Sequence, residues 1–287
     1  MPRLALASLW ILAACGHPGA RSVPTPPAPA EAGKLPAGPP LVTPGERMTY
    51  KLALQGVELA SFTVAAGEIE ELAGARVIMV QAHARSVGIA DWIARIDDRF
   101  TSWIDVETGR SRRFQADEYE TNSKTNVEHV VADLAAREGD RVPVTFALND
   151  APAAPEPQKV TKPEVWDYNA FLVALRAWEQ PPGSSVNVEV FRSRYLWNVE
   201  MKIRGREQIQ TDLPDLGEVT ALRLDAHMYR LTRDGTKDPT ADERDLSIWI
   251  SDDDGRVPLR TVARTDYGDI RMDIVDYHPG NGQRLRR

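Results

Sequence analysis

The chain has 287 residues, 42% of them hydrophobic and 27% charged, with a net charge of -7 at pH 7. Those proportions suit a globular protein, and the acidic balance argues against nucleic acid as a partner, since that needs a basic footprint. A single cysteine, Cys15, excludes an intramolecular disulfide.

Met1–Cys15 reads MPRLALASLWILAAC. Arg3 gives a short positive start, and Leu4–Ala14 is an apolar run of signal-peptide length, too short to span a bilayer. It closes on Leu12-Ala13-Ala14-Cys15, which resembles a bacterial lipobox. The resemblance implies that residues 1–14 are a signal peptide and that the Cys15 sulfur is acylated after cleavage. Two or three acyl chains, at about 0.8 kcal/mol per buried CH2, anchor a protein stably. The expected location is therefore the bacterial cell envelope, facing the periplasm, and Gly16 in place of an aspartate leans toward the outer membrane. Residues 15–44 are crowded with Pro, Ala and Gly and lack apolar periodicity. The reading is a disordered tether, extended at about 3.1 Å per residue where it is polyproline-like.

Residues 45–279 are expected to form one β-rich domain. Met48, Tyr50, Leu52 and Leu54 alternate with polar residues, Gln55-Gly56 turns the chain, and Val57–Ala65 returns. Ala75–Arg85 is a more continuous apolar run, suited to a central strand. Ser86–Arg95 breaks the alternation and suggests a short helical turn. Asp98–Asp105, Arg110–Tyr119, Thr125–Leu134 and Arg141–Leu148 read as further strands, and Asn149–Pro163 as a long surface loop.

Pro163–Glu179 carries Tyr168, Phe171, Leu172, Leu175 and Trp178 at helical spacing, an apolar stripe on one face. Thr161 with Glu164 matches a capping box, and Asp167 is a second N-cap candidate. The expected role is to pack on the open face of the sheet, with a gate over a pocket as the alternative.

Strands resume at Val186–Val190, at Leu196–Arg204 with Gly205 ending it, and at Glu218–Thr232. Asp245–Tyr277 then reads as three strands joined at Asp252-Asp253-Asp254-Gly255 and at Tyr267-Gly268-Asp269. Many short strands, one good helix and closely spaced turns predict a mainly β fold. An antiparallel meander should curl into a barrel or half-barrel, with the helix packed on it. Residues 280–287 are expected to be a frayed basic tail.

GERMTY at Gly45–Tyr50, the helix WDYNAFLVALRAW with PPG after it, and IWISDDDGRVPLRTVARTDYGDIRMDIVDY together resemble the bacterial family called domain of unknown function 3108. The resemblance covers Gly45–Tyr277. It implies an envelope location and a curved sheet similar to those of periplasmic lipoprotein carriers and receptors, which hold acyl chains on a concave face. Asn169 and Ala170 stand where the family commonly has small hydroxyl residues, so no hydroxyl role is carried over.

The chain contains no nucleophile elbow, zinc-protease motif, P-loop or dinucleotide fingerprint. His83, His129 and His227 lie in strands without metal-ligand spacing, and Asp252-Asp253-Asp254 lacks the alternating ligands of a Ca²⁺ loop. No catalytic residue, cofactor or metal is therefore assigned. Asp97-Asp98 with Asp212 and Asp215 would make a hydrolytic pair only if the fold joined them. Large aromatics are the remaining candidates for binding an apolar ligand: Trp249, which points away from the Ile248/Ile250 face, and Phe171 and Trp178 of the helix stripe. The expected function is a non-catalytic, membrane-anchored envelope lipoprotein that binds a lipid or an envelope protein, with an envelope hydrolase as the alternative.

Overall fold

The computed structural model describes residues 33–88, 96–119, 125–214, 216–265 and 268–286. The first half of the chain forms β1 (Glu46–Leu54), β2 (Val57–Leu72), β3 (Ala75–Ser86), β4 (Asp97–Asp105), β5 (Ser111–Tyr119), β6 (Val127–Asp133), β7 (Arg141–Val142), β8 (Val144–Leu148), β9 (Ala154–Pro155) and β10 (Gln158–Lys159). The second half forms β11 (Val165–Asp167), the helix α1 (Tyr168–Arg176), β12 (Ser185–Arg192), β13 (Tyr195–Gln210), β14 (Glu218–Leu231), β15 (Arg244–Ser251), β16 (Pro258–Thr265) and β17 (Gly268–Pro279). The short helical turn expected at Ser86–Arg95 lies largely outside the described residues.

Fifteen strands make one sheet in the order β11-β12-β13-β14-β15-β16-β17-β1-β2-β3-β4-β5-β6-β8-β9. Its ladders are antiparallel apart from β11, which runs parallel to β12. The fold is therefore mainly β, with an antiparallel meander curled into an unclosed half-barrel and one helix. Strand β1 sits in the middle, between its hairpin partner β2 and the last strand β17. The alternation seen in the sequence has its physical cause here. Met48 and Tyr50 of β1, Phe62 and Val64 of β2, and Phe114 and Ala116 of β5 are buried on the concave face.

Gly205 does not end a strand. It has φ of 137° and sits at a register shift between Ile203 and its neighbours, so β13 bulges there and runs on to Gln210. A glycine accommodates that backbone without strain, and the bulge bends the strand around the core.

The helix is shorter than its apolar spacing suggested. Val165–Asp167 are held extended by pairing with Glu189–Phe191, so α1 begins only at Tyr168. Asp167 is its N-cap, accepting from the Ala170 amide at 2.9 Å. The expected Thr161–Glu164 capping box does not form. Thr161 donates to the Glu189 carboxylate through its hydroxyl at 2.6 Å, and Glu164 pairs with Arg110 at 2.8 Å. The helix is also buried on more than one face: Ala170, Phe171, Val173, Ala174 and Leu175 are all core residues. A helix apolar nearly all round belongs in an interior, and the curled sheet supplies one.

The tether expected up to Pro44 is corrected over its last part. Leu35, Leu41 and Val42 are buried in the core, and Gly33 donates to the Ser185 carbonyl at 2.7 Å. The C-terminal tail is likewise ordered through residue 286. The Leu285 amide donates to the Val42 carbonyl at 3.1 Å, and Arg286 donates to the carbonyls of Ala37 and Pro39. Proline without periodicity is compatible with an extended arm that satisfies its backbone on a neighbour, and this arm has one. Residues 149–163, read as a surface loop, contain β9 and β10, with Gln158 and Val160 buried. Buried Glu189 accepts from the amides of Thr161 and Lys162 and holds the segment against β12.

Candidate functional site

The two ends of α1 are fixed by different chemistry. At the N-terminus, buried Asp167 accepts from the hydroxyls of Ser102 and Ser111 and from the Ala170 amide. Burial pushes its pKa up to about 6, and those hydrogen bonds offset only part of that cost. Two residues on, the Asn169 amide donates to the carbonyls of Val80 and Phe100 at 3.0 and 2.9 Å, tying the helix to β3 and β4.

At the C-terminus, Arg176 and Glu46 form a bidentate pair at 2.7 and 2.9 Å, both side chains 2% exposed. Arg176 also donates to the carbonyls of Gly255 and Arg256. Glu46 accepts from the Tyr277 hydroxyl and the Thr43 amide. Burial and the Glu46 charge push the Tyr277 phenol up to about 12. Arg256 returns donors to the carbonyls of Arg176 and Trp178, which caps the helix end. This network joins the N-terminal arm, β1, α1, the β15–β16 turn and β17, and it closes one end of the half-barrel.

The sheet is wider than the helix it wraps. A cavity of about 300 Å³ remains between α1 and the strands β12 to β17, β1 and β2. Phe171 and Leu172 form the helix wall, with Phe62, Trp197, Met201 and Ile248 among the residues opposite. Around Arg176, Tyr50 and Met201 the lining is fully buried. Toward Leu52, Ile270 and Arg244 it becomes half-buried and then exposed. The cavity thus opens at the end opposite the Glu46–Arg176 closure. Its volume is at the lower end of small-molecule sites, which run to about 300–1,000 Å³, and its apolar wall with few polar groups is the usual composition. One polar group on the wall lacks a partner: Asn169 Oδ1, in a side chain 1% exposed.

Of the three aromatics put forward as ligand-binding candidates, Trp249, Phe171 and Trp178, Phe171 lines this cavity. Trp178 is buried at the closed end, under Arg256. Trp249 lies on the outer face, where the Arg223 guanidinium stacks at 5.3 Å and Glu207 accepts from its indole. Its face is covered by charged side chains, which is why a large apolar residue is tolerated there. Cys15 lies outside the described residues. Trp197 reads as core in the sequence, and Met201, Arg192 and Arg244 carry no signal there, because alternation marks a buried face without saying which strands curve around empty space.

Among the described residues the hydrolytic pairing is not formed. Asp97 is bound to His83 at 2.7 Å, Asp98 accepts from the Tyr119 amide, and Asp212 pairs with Lys51. Asp215 lies outside the described residues. The structure offers a different couple: Asp98 of β4 and Glu118 of β5, whose carboxyls are pushed up by burial, an effect that their hydrogen bonds and the nearby Arg192 charge offset only in part. Asp252, Asp253 and Asp254 sit at the β15–β16 turn, with Asp252 paired to Arg206 at 2.6 Å. Among the described residues, no group of three His, Cys, Asp or Glu is disposed to hold a metal, and no helix is long and apolar enough to cross a membrane.

The family described as "protein of unknown function (DUF3108)" matches residues 47–275. The chain belongs to this family. No match is found among curated proteins. In fold, this DUF3108 chain is similar to a beta-barrel-like protein of domain of unknown function DUF1849 from Brucella abortus. The TM-score is 0.53 at 10% identity, over 84% of this chain and 100% of that one. Two weaker likenesses are to a proposed exported protein with a YmcC-like fold from Bacteroides fragilis and a proposed lipoprotein from Parabacteroides distasonis. Their TM-scores are 0.35 and 0.37 at 7% and 8% identity, over 85% and 84% of this chain and 100% and 99% of theirs.

Proposed function

We propose that this DUF3108 protein is a non-catalytic lipoprotein of the bacterial cell envelope, anchored through Cys15 and holding an apolar ligand in the concave face of its sheet. The cavity beside α1 carries the reading. An apolar space of about 300 Å³ that opens at one end is what a ligand-holding protein needs and what close packing otherwise removes. The Glu46–Arg176 network supports it further, since it keeps the far end shut and the helix in place. The test is uptake of a neutral apolar dye, N-phenyl-1-naphthylamine, by the purified protein and by Leu172→Trp, which puts a larger ring in the space. The dye should bind the native protein and be displaced or excluded by the variant. A protein that takes up no dye and yields no extractable lipid would overturn the reading.

Anchoring rests on the lipobox-like sequence ending at Cys15. Wild type should fractionate with membranes, facing the periplasm and on the outer membrane, and Cys15→Ser should be soluble or unprocessed; equal fractionation of the two would remove the anchor from the proposal. A hydrolase is the second reading, favoured by the Asp98–Glu118 couple with both acids shifted up. It requires that Asp98→Asn and Glu118→Gln each abolish turnover of an ester or glycoside by the native protein; an inert native protein removes it.

A further inference from the structure

The charged groups lining the cavity's open end are two arginines, Arg192 and Arg244, and one acid, Asp245. Arg192, at the tip of β12, and Arg244, at the start of β15, both line the space, and both are exposed. Among the described residues neither has a carboxylate within salt-bridge distance, whereas other arginines are paired. Arg230 is bound to Asp238 at 2.9 Å, for example, and Arg204 to Asp225 at 2.7 Å. The Arg244 guanidinium stacks over the Trp197 ring at 5.2 Å, so it is held against the apolar wall rather than free in solvent. Burial first, and then the charge of Arg192, make Arg244 easier to deprotonate than an ordinary arginine, with Asp242 opposing the shift and Arg230 adding to it. Two guanidinium groups that repel one another beside a cavity are the arrangement an anion relieves. Tyr168 also lines the mouth, within the field of Arg192. Acids are present too: Asp245 pairs with His227 at 2.9 Å, and Asp98 and Glu118 lie within the field of Arg192 without an ion pair to it.

We propose that the cavity takes a single-chain amphiphile with an anionic head, its alkyl chain along the apolar wall of α1 and its head between Arg192 and Arg244. This rests on the apolar-ligand reading above and narrows it to a chemical class, a long-chain carboxylate or phosphate monoester. One chain rather than two follows from a volume at the bottom of the small-molecule range. The carboxylate or phosphate head matches the planar, bidentate geometry that guanidinium groups recognise.

The test is displacement of N-phenyl-1-naphthylamine from the full chain by four twelve-carbon competitors: laurate, dodecyl phosphate, dodecanol and dodecyltrimethylammonium. The anionic pair should compete best, and the laurate–phosphate comparison separates a fatty-acid head from a phosphate head. The double variant Arg192→Gln/Arg244→Gln should cut the preference for laurate over dodecanol by about tenfold to a hundredfold, the loss expected for charge-assisted hydrogen bonds. Arg204→Gln/Arg206→Gln, with the same charge removed from the exposed outer face, should keep the preference and shows that bulk charge is not responsible. Equal competition by dodecanol and laurate, stronger competition by the ammonium, or a folded double variant that keeps the preference would each overturn the inference while leaving the apolar reading standing. Bound dye that none of the four displaces would also overturn the inference, and a protein that neither binds the dye nor yields extractable lipid fails the apolar reading itself.

Discussion

Asp167 exchanges its water for two serine hydroxyls and the first amides of a helix. Its carboxyl titrates near 6 in the folded chain and near 3.8 when unfolded. Between those values the folded state holds a proton that the unfolded state has lost, so this group makes the protein less stable as pH rises from about 4 to about 6. The loss is about 3 kcal/mol and is constant above that range. Asp167→Asn keeps a capping side chain and removes the titration. Urea unfolding of both proteins at pH 4 and pH 7 should show the variant gaining on wild type as pH rises; a pH-independent difference would mean the carboxyl is not shifted. Glu46 and Arg176 follow another logic. Arg176→Met strands a buried carboxylate and should cost about 3–5 kcal/mol, whereas Glu46→Leu with Arg176→Met should recover most of that loss, because a buried pair contributes little beyond an apolar replacement. Denaturant midpoints of the single and double variants check this.

At the scale of one element, α1 has two kinds of apolar residue. Leu175 is 1% exposed and packed, so Leu175→Ala should cost about 2–5 kcal/mol. Leu172 is half-buried and borders the cavity; Leu172→Ala opens an existing space rather than a new one. It should cost under about 2 kcal/mol and change dye affinity instead. Melting curves and dye titrations on both variants separate the roles, and equal destabilisation would mean that the space beside Leu172 is closed. The helix itself was readable from the spacing of Tyr168, Phe171, Leu172 and Leu175. Its start was not, because the extended state of Val165–Asp167 is imposed by Glu189–Phe191, a partner with no local signature.

For the whole molecule, the arm before β1 is part of the fold. Leu35, Leu41 and Val42 are buried, each contributing about 1.5–3 kcal/mol. A chain beginning at Glu46 should therefore melt well below one beginning at Gly33, and limited proteolysis should stop near Gly33 rather than near Glu46. Equal melting temperatures would show the arm to be dispensable. The strands and their concave sides were legible because period-2 alternation survives wherever one face is wet. The arm was not, since Leu35 and Val42 sit among prolines with no period. The cavity was illegible for a related reason: Met48, Phe62, Trp197 and Ile248 each look like core, and only curvature decides which core positions are left without a neighbour. Gly205 shows the same limit, as a bulge and a strand end look alike in one sequence.

The pairing of β1 with β17, Glu46 opposite Pro279, sets the order in which the molecule can be completed. Made from its N-terminus, the chain can zip β1 through β6 as local hairpins, and later β12 through β16, but the two halves share no full seam until the last strand arrives. Such a join between distant parts of the chain is slow. Until it forms, β1 and β16 each present an unpaired edge, the kind of surface on which partly made sheets stick to one another. A chain interrupted before Gly268 would keep both edges bare, so for this fold the twelve residues of β17 decide whether synthesis ends in a completed sheet or an aggregate.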